Sequence, residues 1–294
     1  MDLIEQLQRI AERARQRERE RRPTEAETPV AAASGPAPSA KILKLPVEPP
    51  DRRTTPNVCL RSALFGVVGR GRRRWLRDVE IAAQDGYRVL FTGERLDQSD
   101  LDVWLAIKHL CARVPLGAEA TFSAPELFRL LGKSDGQANR EALKRSLKRM
   151  KEASVSMVAP SGAGFQGNMI DWWKWDAESC RFSVVLSPRT APLFEDEDYT
   201  LLVNAQRQQL GKDLARWLHG YWSSHQRIYP IYDTTLMRLC GAETEAIWKF
   251  RQLLREALAE LEVTGFLAPG WTVDRHGLVA ATKVTKTKTL SKPR

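Results

Sequence analysis

A pattern of helices that occurs twice constrains this chain more than any other feature. Leu127-Phe128-Arg129-Leu130-Leu131-Gly132 returns 109 residues later as Leu236-Met237-Arg238-Leu239-Cys240-Gly241. Ala142-Leu143-Lys144-Arg145-Ser146-Leu147 returns 111 residues later as Leu253-Leu254-Arg255-Glu256-Ala257-Leu258, so the two-residue difference falls in the turn between the segments. A long amphipathic pattern and a short β-prone stretch precede each copy: Ser99 to Arg113 before Ala120-Thr121-Phe122, and Ala205 to His225 before Ile228-Tyr229. β-rich residues with glycine turns follow each copy. Helix, strand, short helix, turn, long helix and hairpin, taken twice, predict an α+β fold of tandem winged-helix domains.

The first copy carries its own start and stop signals. Ser123 is an N-cap with Pro125 in the first turn and Glu126 three places on, and Gly132 ends the short helix. Gln137 to Ala153 reads as a longer helix whose apolar stripe is Leu143, Leu147 and Met150, at i, i+4 and i+7. Arg140, Lys144, Lys148 and Lys151 run beside that stripe, and Arg145 and Arg149 extend it outward; six Lys or Arg stand against two acids. Short helix, turn and basic helix is the outline of a helix-turn-helix DNA reader. Gln137, Asn139, Arg140 and Lys144 are the expected base readers, Arg suiting guanine and Asn or Gln adenine. Lys133, Arg145 and Lys148 complete the candidate DNA-binding set of this copy. A merely solvated basic face is the alternative for any single helix, and the duplication is what favours DNA.

The second long helix, Glu243 to Glu262, holds three Lys or Arg and five Glu. Only its front half, with Lys249, Arg251, Gln252 and Arg255, suits a groove. Arg70-Gly71-Arg72-Arg73-Arg74 is the densest basic run and fits phosphate contact. The net charge of +10 favours a polyanionic partner. With 294 residues the chain has room for two ordinary cores, and two recognition helices on one chain can enter successive major grooves about 34 Å apart.

Other classes find less support. No apolar run approaches a membrane span, and the N-terminus is charged from residue 2 without a signal-peptide core, which predicts a cytoplasmic protein. Cys59, Cys111, Cys180 and Cys240 lack paired spacing and read as reduced, mostly buried thiols. The histidines at 109, 219, 225 and 276 do not cluster with carboxylates, so no metal, cofactor or catalytic residue is expected, and His109 reads as a satisfied structural histidine. Gly162-Ala163-Gly164-Phe165-Gln166-Gly167 fits G-x-G-x-x-G by letters but lacks the strand-to-helix context of a nucleotide loop. Trp172, Trp173 and Trp175 read as core packing before base stacking. Val155 to Ala159, the turn after it, Met169 to Trp175 and Arg181 to Ser187 are expected to form wing and sheet.

Met1 to Arg22 is a charged helix pattern with Leu3, Leu7 and Ile10 on one side, either a segment that orders on a partner or a solvated tail. Pro23 to Pro56 holds eight of the sixteen prolines and has linker composition. The expected division is therefore 1–56 helix and disordered linker, 57–190 first domain, 191–283 second domain and 284–294 basic tail, with Lys283 at the root of that tail. Leu64-Phe65, a few residues after the linker, admits two readings: a sliding-clamp peptide without its leading Gln, or a first core strand. Glu195-Asp196-Glu197-Asp198 is expected to face away from nucleic acid.

The duplicated helix pairs Ala124 to Ala153 and Asp233 to Glu262, the Pro-rich entry and the Leu-bearing N-terminal helix together carry a resemblance. The most specific wording is Leu101-Asp102-Val103-Trp104-Leu105 and the run Ala124 to Lys151. Over essentially its whole length the chain resembles the TrfA family, the replication initiators of broad-host-range IncP plasmids. The resemblance implies a protein that binds direct repeats (iterons) in double-stranded plasmid origin DNA and opens the adjacent A+T-rich DNA. It further implies recruitment of the host replicative helicase, initiator and sliding clamp, and control of plasmid copy number through active monomers and inactive dimers. In related initiators the second winged helix is the main base reader. No ATPase motif is visible, so opening would have to be driven by binding and bending. A winged-helix transcriptional repressor is the alternative, and a nicking enzyme a more distant third.

Overall fold

The computed structural model describes residues 44–284 apart from 47, 70, 72, 161, 163 and 245, with the backbone alone at 195–197. The expected N-terminal helix, most of the Pro-rich segment, Arg70, Arg72 and the tail from 285 lie outside the described residues. The chain enters through β1 (Arg52–Pro56), a single turn α1 (Asn57–Leu60) and β2 (Phe65–Gly66). A hairpin follows as β3 (Trp75–Ile81) and β4 (Arg88–Glu94), turned at Asp85 and Gly86, both of positive φ. β5 (Leu96–Asp97) pairs in parallel with β2 and leads into α2 (Gln98–Cys111).

The first repeat then unfolds as its sequence signals predict. β6 (Glu119–Ser123) leads into α3 (Ala124–Leu131), where Ser123 Oγ accepts from the Glu126 amide at 3.3 Å and Gly132 closes the helix at φ 64. The C-cap needs the left-handed conformation that glycine tolerates. α4 (Gln137–Glu152) is the long basic helix. After β7 (Ser154–Val158) and β8 (Gly164–Gly167) come β9 (Ile170–Asp176) and β10 (Arg181–Leu186). A 3-10 segment, Pro188–Glu197, connects to β11 (Tyr199–Val203).

The second repeat is entered through α5 (Asn204–Gln208) and consists of α6 (Asp213–Ser223), β12 (Ile231–Tyr232), α7 (Asp233–Leu239), α8 (Ile247–Val263), β13 (Thr272–Val273) and β14 (Leu278–Ala280). The antiparallel sheets run β6-β10-β9 in the first repeat and β12-β14-β13 in the second. In both, the strand before the short helix pairs with the last strand of the hairpin. The two repeats therefore share one winged-helix topology, as the duplicated pattern implies.

Several expectations are corrected. Ordered structure begins before Asn57: β1 pairs along its length with β11, and Glu48, ahead of it, is buried against Lys108 and His109, whose Nδ1 lies 2.8 Å from Glu48 Oε2. Prolines at 46, 49 and 50 mimic a linker but merely keep this stretch extended. Burial alone would raise the Glu48 pKa, yet the hydrogen bond to His109 and the Lys108 charge outweigh it and hold the carboxyl low. Leu64 and Phe65 are core residues, 2% and 0% exposed, with Phe65 stacked on Trp104, so a clamp could not reach them and the core-strand reading holds. Val155 belongs to no wing: β7 pairs with β4 and β8 in a separate sheet, β3-β4-β7-β8, leaving the first wing to β9 and β10. The helix expected from Ala205 breaks after Gln208, the second strand lies at Ile231-Tyr232 and not Ile228-Tyr229, and α8 starts at Ile247 and not Glu243.

Among the described residues there are two apolar clusters, one from Leu45 to Leu202 and one from Leu210 to Val279. The division between cores thus falls at the end of β11, past the expected boundary at 190. Among the described residues no helix is long and apolar enough to cross a membrane.

Asp100, fully buried, ties the first repeat together. Its carboxylate accepts from the Asp97 amide at 3.1 Å, closing a capping box in which Asp97 accepts from the Ser99 and Asp100 amides. It also accepts from Ser146 Oγ at 2.6 Å, from the Arg149 fork at 2.6 and 3.2 Å, and from Arg73 at 2.9 Å. Burial and the neighbouring Asp100 charge push the Asp97 carboxyl upward. Asp100→Ala leaves two arginines facing each other without their shared counter-charge, and such a deletion costs about 3–5 kcal/mol. Urea unfolding should show that loss, and a loss under about 1 kcal/mol would mean the cluster is not holding α4 in place.

His219 offers a second test. It is 0% exposed, its Nδ1 has no partner, and its Nε2 lies 3.3 Å from Gln206 Oε1. Burial drives its pKa down from 6.5 to about 3. The unfolded chain therefore takes up this proton before the folded one, so stability present above pH 6.5 is lost as pH falls from 6.5 toward 3. The stability of His219→Phe should decline less steeply than wild type across that window; parallel pH profiles would remove histidine as the cause.

Candidate nucleic-acid interface

The two long helices correspond residue for residue at a sequence offset of 111. Leu143, Ser146, Leu147 and Met150 are the buried positions of α4, and their counterparts Leu254, Ala257, Leu258 and Leu261 are buried in α8. Since the buried faces coincide, the opposite faces coincide too. On α4 that face carries Gln137, Glu141, Lys144 and Lys148, and on α8 it carries Trp248, Gln252, Arg255 and Ala259. All are exposed except Lys144, which is half-buried.

Neither helix has a side-chain cap, the N-cap residues being Gly136 and Ala246, and neither has an acid in its first turn. By contrast, Asp97 and Ser123 cap α2 and α3. The positive ends of the two recognition helices are thus left unneutralised, which suits approach to phosphate.

The arginines expected to read bases are held instead. Arg140 makes a two-point contact with Asp135, at 2.5 and 2.8 Å, and its counterpart Arg251 donates to Asp233 at 2.5 Å. Hydrogen bonding from Arg140 keeps the Asp135 carboxyl below its ordinary range, so the pair stays charged. Arg140 also sits 5.5 Å from the centre of the Trp175 ring, with the Lys144 ammonium 5.7 Å from the same ring. These contacts draw the basic helix against wing strand β9. In the second repeat Asp233 performs the equivalent joining: it is buried, binds Arg251, and its amide donates to the Gly277 carbonyl of the wing at 2.8 Å. A Cβ on Gly277 would lie 2.5 Å from the Asp233 carboxylate, so the wing closes here only with glycine.

The remaining candidates divide. Arg73 is bound to Asp97 and Asp100 and is a structural residue, which corrects its assignment to phosphate; a basic run read as letters does not show which member turns inward. Arg74, Lys133, Gln137, Arg145, Lys148, Lys249, Gln252 and Arg255 are exposed. Asn139 donates to the Ser134 carbonyl at 2.8 Å and so fastens the turn. Lys144 pairs with Glu141 at 2.8 Å, Lys148 with Glu152 at 3.9 Å, and Gln252 bonds Glu256 at 3.3 Å; these exposed contacts are weak and exchangeable. A cleft of about 360 Å³ beside α4 is lined by Gly71, Arg73, Lys133, Asn139, Arg145 and Arg149. Lys283 donates to the Trp222 and His225 carbonyls and is part of the fold, not of a free arm. Asp198, last of the four acids, accepts from Asn57 at 2.8 Å and from the Tyr87 hydroxyl at 2.6 Å and is internal to the first repeat.

Contacts unforeseen in the sequence join the repeats. Arg207, 2% exposed, reaches from α5 to Asp102 at 2.6 Å and to Gln98 Oε1 at 2.9 Å on α2. Arg95 donates to Glu243 at 3.2 Å and to the Gly241 carbonyl at 2.8 Å, and the Val67 amide donates to the Cys240 carbonyl at 2.8 Å. Periodicity carries no signal for such pairings across more than 100 residues.

Among the described residues no group of three His, Cys, Asp or Glu is placed to hold a metal ion. Crystal structures of domains 2 and 3 of RctB share the fold: one matches with a TM-score of 0.55 at 12% identity, covering 78% of this chain and 96% of that one. A second, of RctB residues 155–483, gives 0.51 at 12% identity, covering 74% and 95%. The plasmid replication initiator protein TrfA of Escherichia coli is 25% identical over an aligned length of 236 residues, and the match covers 77% of this chain and 61% of that protein's length. The TrfA protein family matches residues 42–281, from just before β1 to just after β14, and the chain belongs to that family.

Proposed function

We propose that this chain is a plasmid replication initiator: it binds repeated sites in duplex origin DNA, opens the adjacent A+T-rich strands and brings host replication proteins to them. One observation carries the reading above the rest. Two helices with matched buried faces each present an exposed, largely polar face and an uncapped amino end. One polypeptide can then occupy two successive major grooves about 34 Å apart without a second copy. Family membership supplies the biological setting. The protein acts in the cytoplasm, where plasmid DNA resides, and self-association into dimers withdraws it from the origin and limits copy number.

Strand opening in this proposal uses no enzymatic step. Binding free energy from several occupied sites is spent on bending the duplex, and flexible A+T-rich steps yield most readily. Supercoiled origin plasmid mixed with the purified protein and no nucleotide should show permanganate-reactive thymines in the A+T-rich region, with protection of two turns on one face of each repeat. Protection without reactive thymines would favour a repressor, and a metal-dependent nick would favour an enzyme.

Lys144 and Arg255 occupy the same position of the two helices on the face opposite the core, Lys144 half-buried and Arg255 exposed. Each replaced by alanine should weaken repeat binding by roughly 1–3 kcal/mol if it reads a base. Competition against random duplex measures this. Equal losses on repeat and random DNA would reassign the residue to a phosphate.

A further inference from the structure

Trp248 stands where the first repeat carries Gln137. Its side chain is 68% exposed, whereas Phe250, Leu254, Leu258 and Leu261 of the same helix pack inward and Val263, also exposed, is the helix's last residue. A lone exposed aromatic needs no explanation by itself. Its neighbours give this one significance. It is the second residue of α8, on the exposed stripe that continues through Gln252 and Arg255, and Lys249 beside it is exposed as well. The amino-terminal turn of a recognition helix is the part that meets base edges in the major groove.

Resting on the proposed duplex binding, we propose that Trp248 is a specificity-determining residue whose indole covers the C5 methyl of a thymine. Thymine is the one base that presents an apolar group in the major groove, and a large flat apolar side chain there has no other base-edge feature of matching chemistry. The indole gains by leaving water, and so does the methyl. A guanine, cytosine or adenine at that place leaves the indole against polar edges. Gln137 at the equivalent position of α4 suits adenine instead. The two repeats of one chain therefore read different base patterns, and the bound site is asymmetric: its two halves cannot be copies of one another.

The test uses the full-length protein and a labelled duplex bearing one origin repeat, with each thymine replaced in turn by deoxyuridine, which lacks only the methyl. Wild type should lose roughly fourfold in affinity at one thymine or an adjacent pair, the factor that burial of one methyl group supplies. Trp248→Ala should bind the unmodified repeat at least about tenfold more weakly, within the range of a lost base contact. At the same thymine it should be indifferent to deoxyuridine while keeping every other response. Trp248→Phe should keep part of the response. Because the side chain is exposed, the thermal midpoint of Trp248→Ala should match wild type. Binding by Trp248→Ala equal to wild type, or weakened with an unchanged pattern of deoxyuridine effects, overturns the assignment. If wild type itself fails to distinguish the repeat from random duplex, the underlying reading falls and takes this one with it.

Discussion

The first repeat depends on a single carboxylate. Asp100 caps its own helix and at the same time takes Ser146 and Arg149 of α4 and Arg73 of the strap before β3. One buried anion thus fixes the start of α2, the second half of the recognition helix and the approach of the basic segment. Apolar packing of Leu143, Leu147 and Met150 against the core would allow α4 to slide or rotate, since the hydrophobic effect has no direction. Hydrogen bonds to a two-oxygen acceptor do have direction. They set the register of α4 against α2, and that register determines which side chains face outward.

A second constraint acts between the repeats. Arg207 is almost wholly buried, and its guanidinium is satisfied by Asp102, the Gln98 side chain and the Arg216 carbonyl. Desolvating such a charge costs nearly as much as its pairing returns, so the contact adds little net stability. Pulling the repeats apart, however, would strand the charge. Arg95, reaching Glu243 and Gly241, resists the same movement close to the start of α8. The second repeat is consequently held against the first in part by polar groups that tolerate little adjustment, beside apolar contacts such as Val67 on the second core.

How much of this was legible in the residues depended on the distance over which the signal acts. The cap at Ser123, the stop at Gly132 and the stripe on α4 are local, and the structure has them where the letters place them. That the two sheets share one order followed from the duplication, because two copies of one pattern have one topology. Side-chain roles within the basic clusters did not follow. Arg73 and Arg74 are adjacent and chemically identical, yet one is captured by Asp97 and Asp100 and the other is exposed. Leu64-Phe65 left two readings open in the same way, since an apolar pair beside a Pro-rich stretch has the same letters as a peptide motif and as a buried strand. The prolines before β1 suggested a linker although Glu48 is anchored on α2, a contact between residues 60 positions apart.

Duplication also explains why the two readers differ in the way they do. The buried positions of α4 and α8 were kept apolar or small because each must fit against its own three-stranded sheet and preceding helix, and a change there costs packing. Arg140 and Arg251 were kept as well, but they found different carboxylates, Asp135 from the turn and Asp233 from the start of α7. Position, and not partner, is what the repeat preserved. On the outer face no such demand applies, and there Gln137 stands opposite Trp248 and Lys148 opposite Ala259. The same freedom let α8 accumulate glutamates toward its end while keeping Lys249 and Arg255 at its front. A fold used twice in one chain is therefore conserved on the side that faces the protein and free to diverge on the side that faces its ligand, and that divergence is what allows one chain to read an asymmetric site.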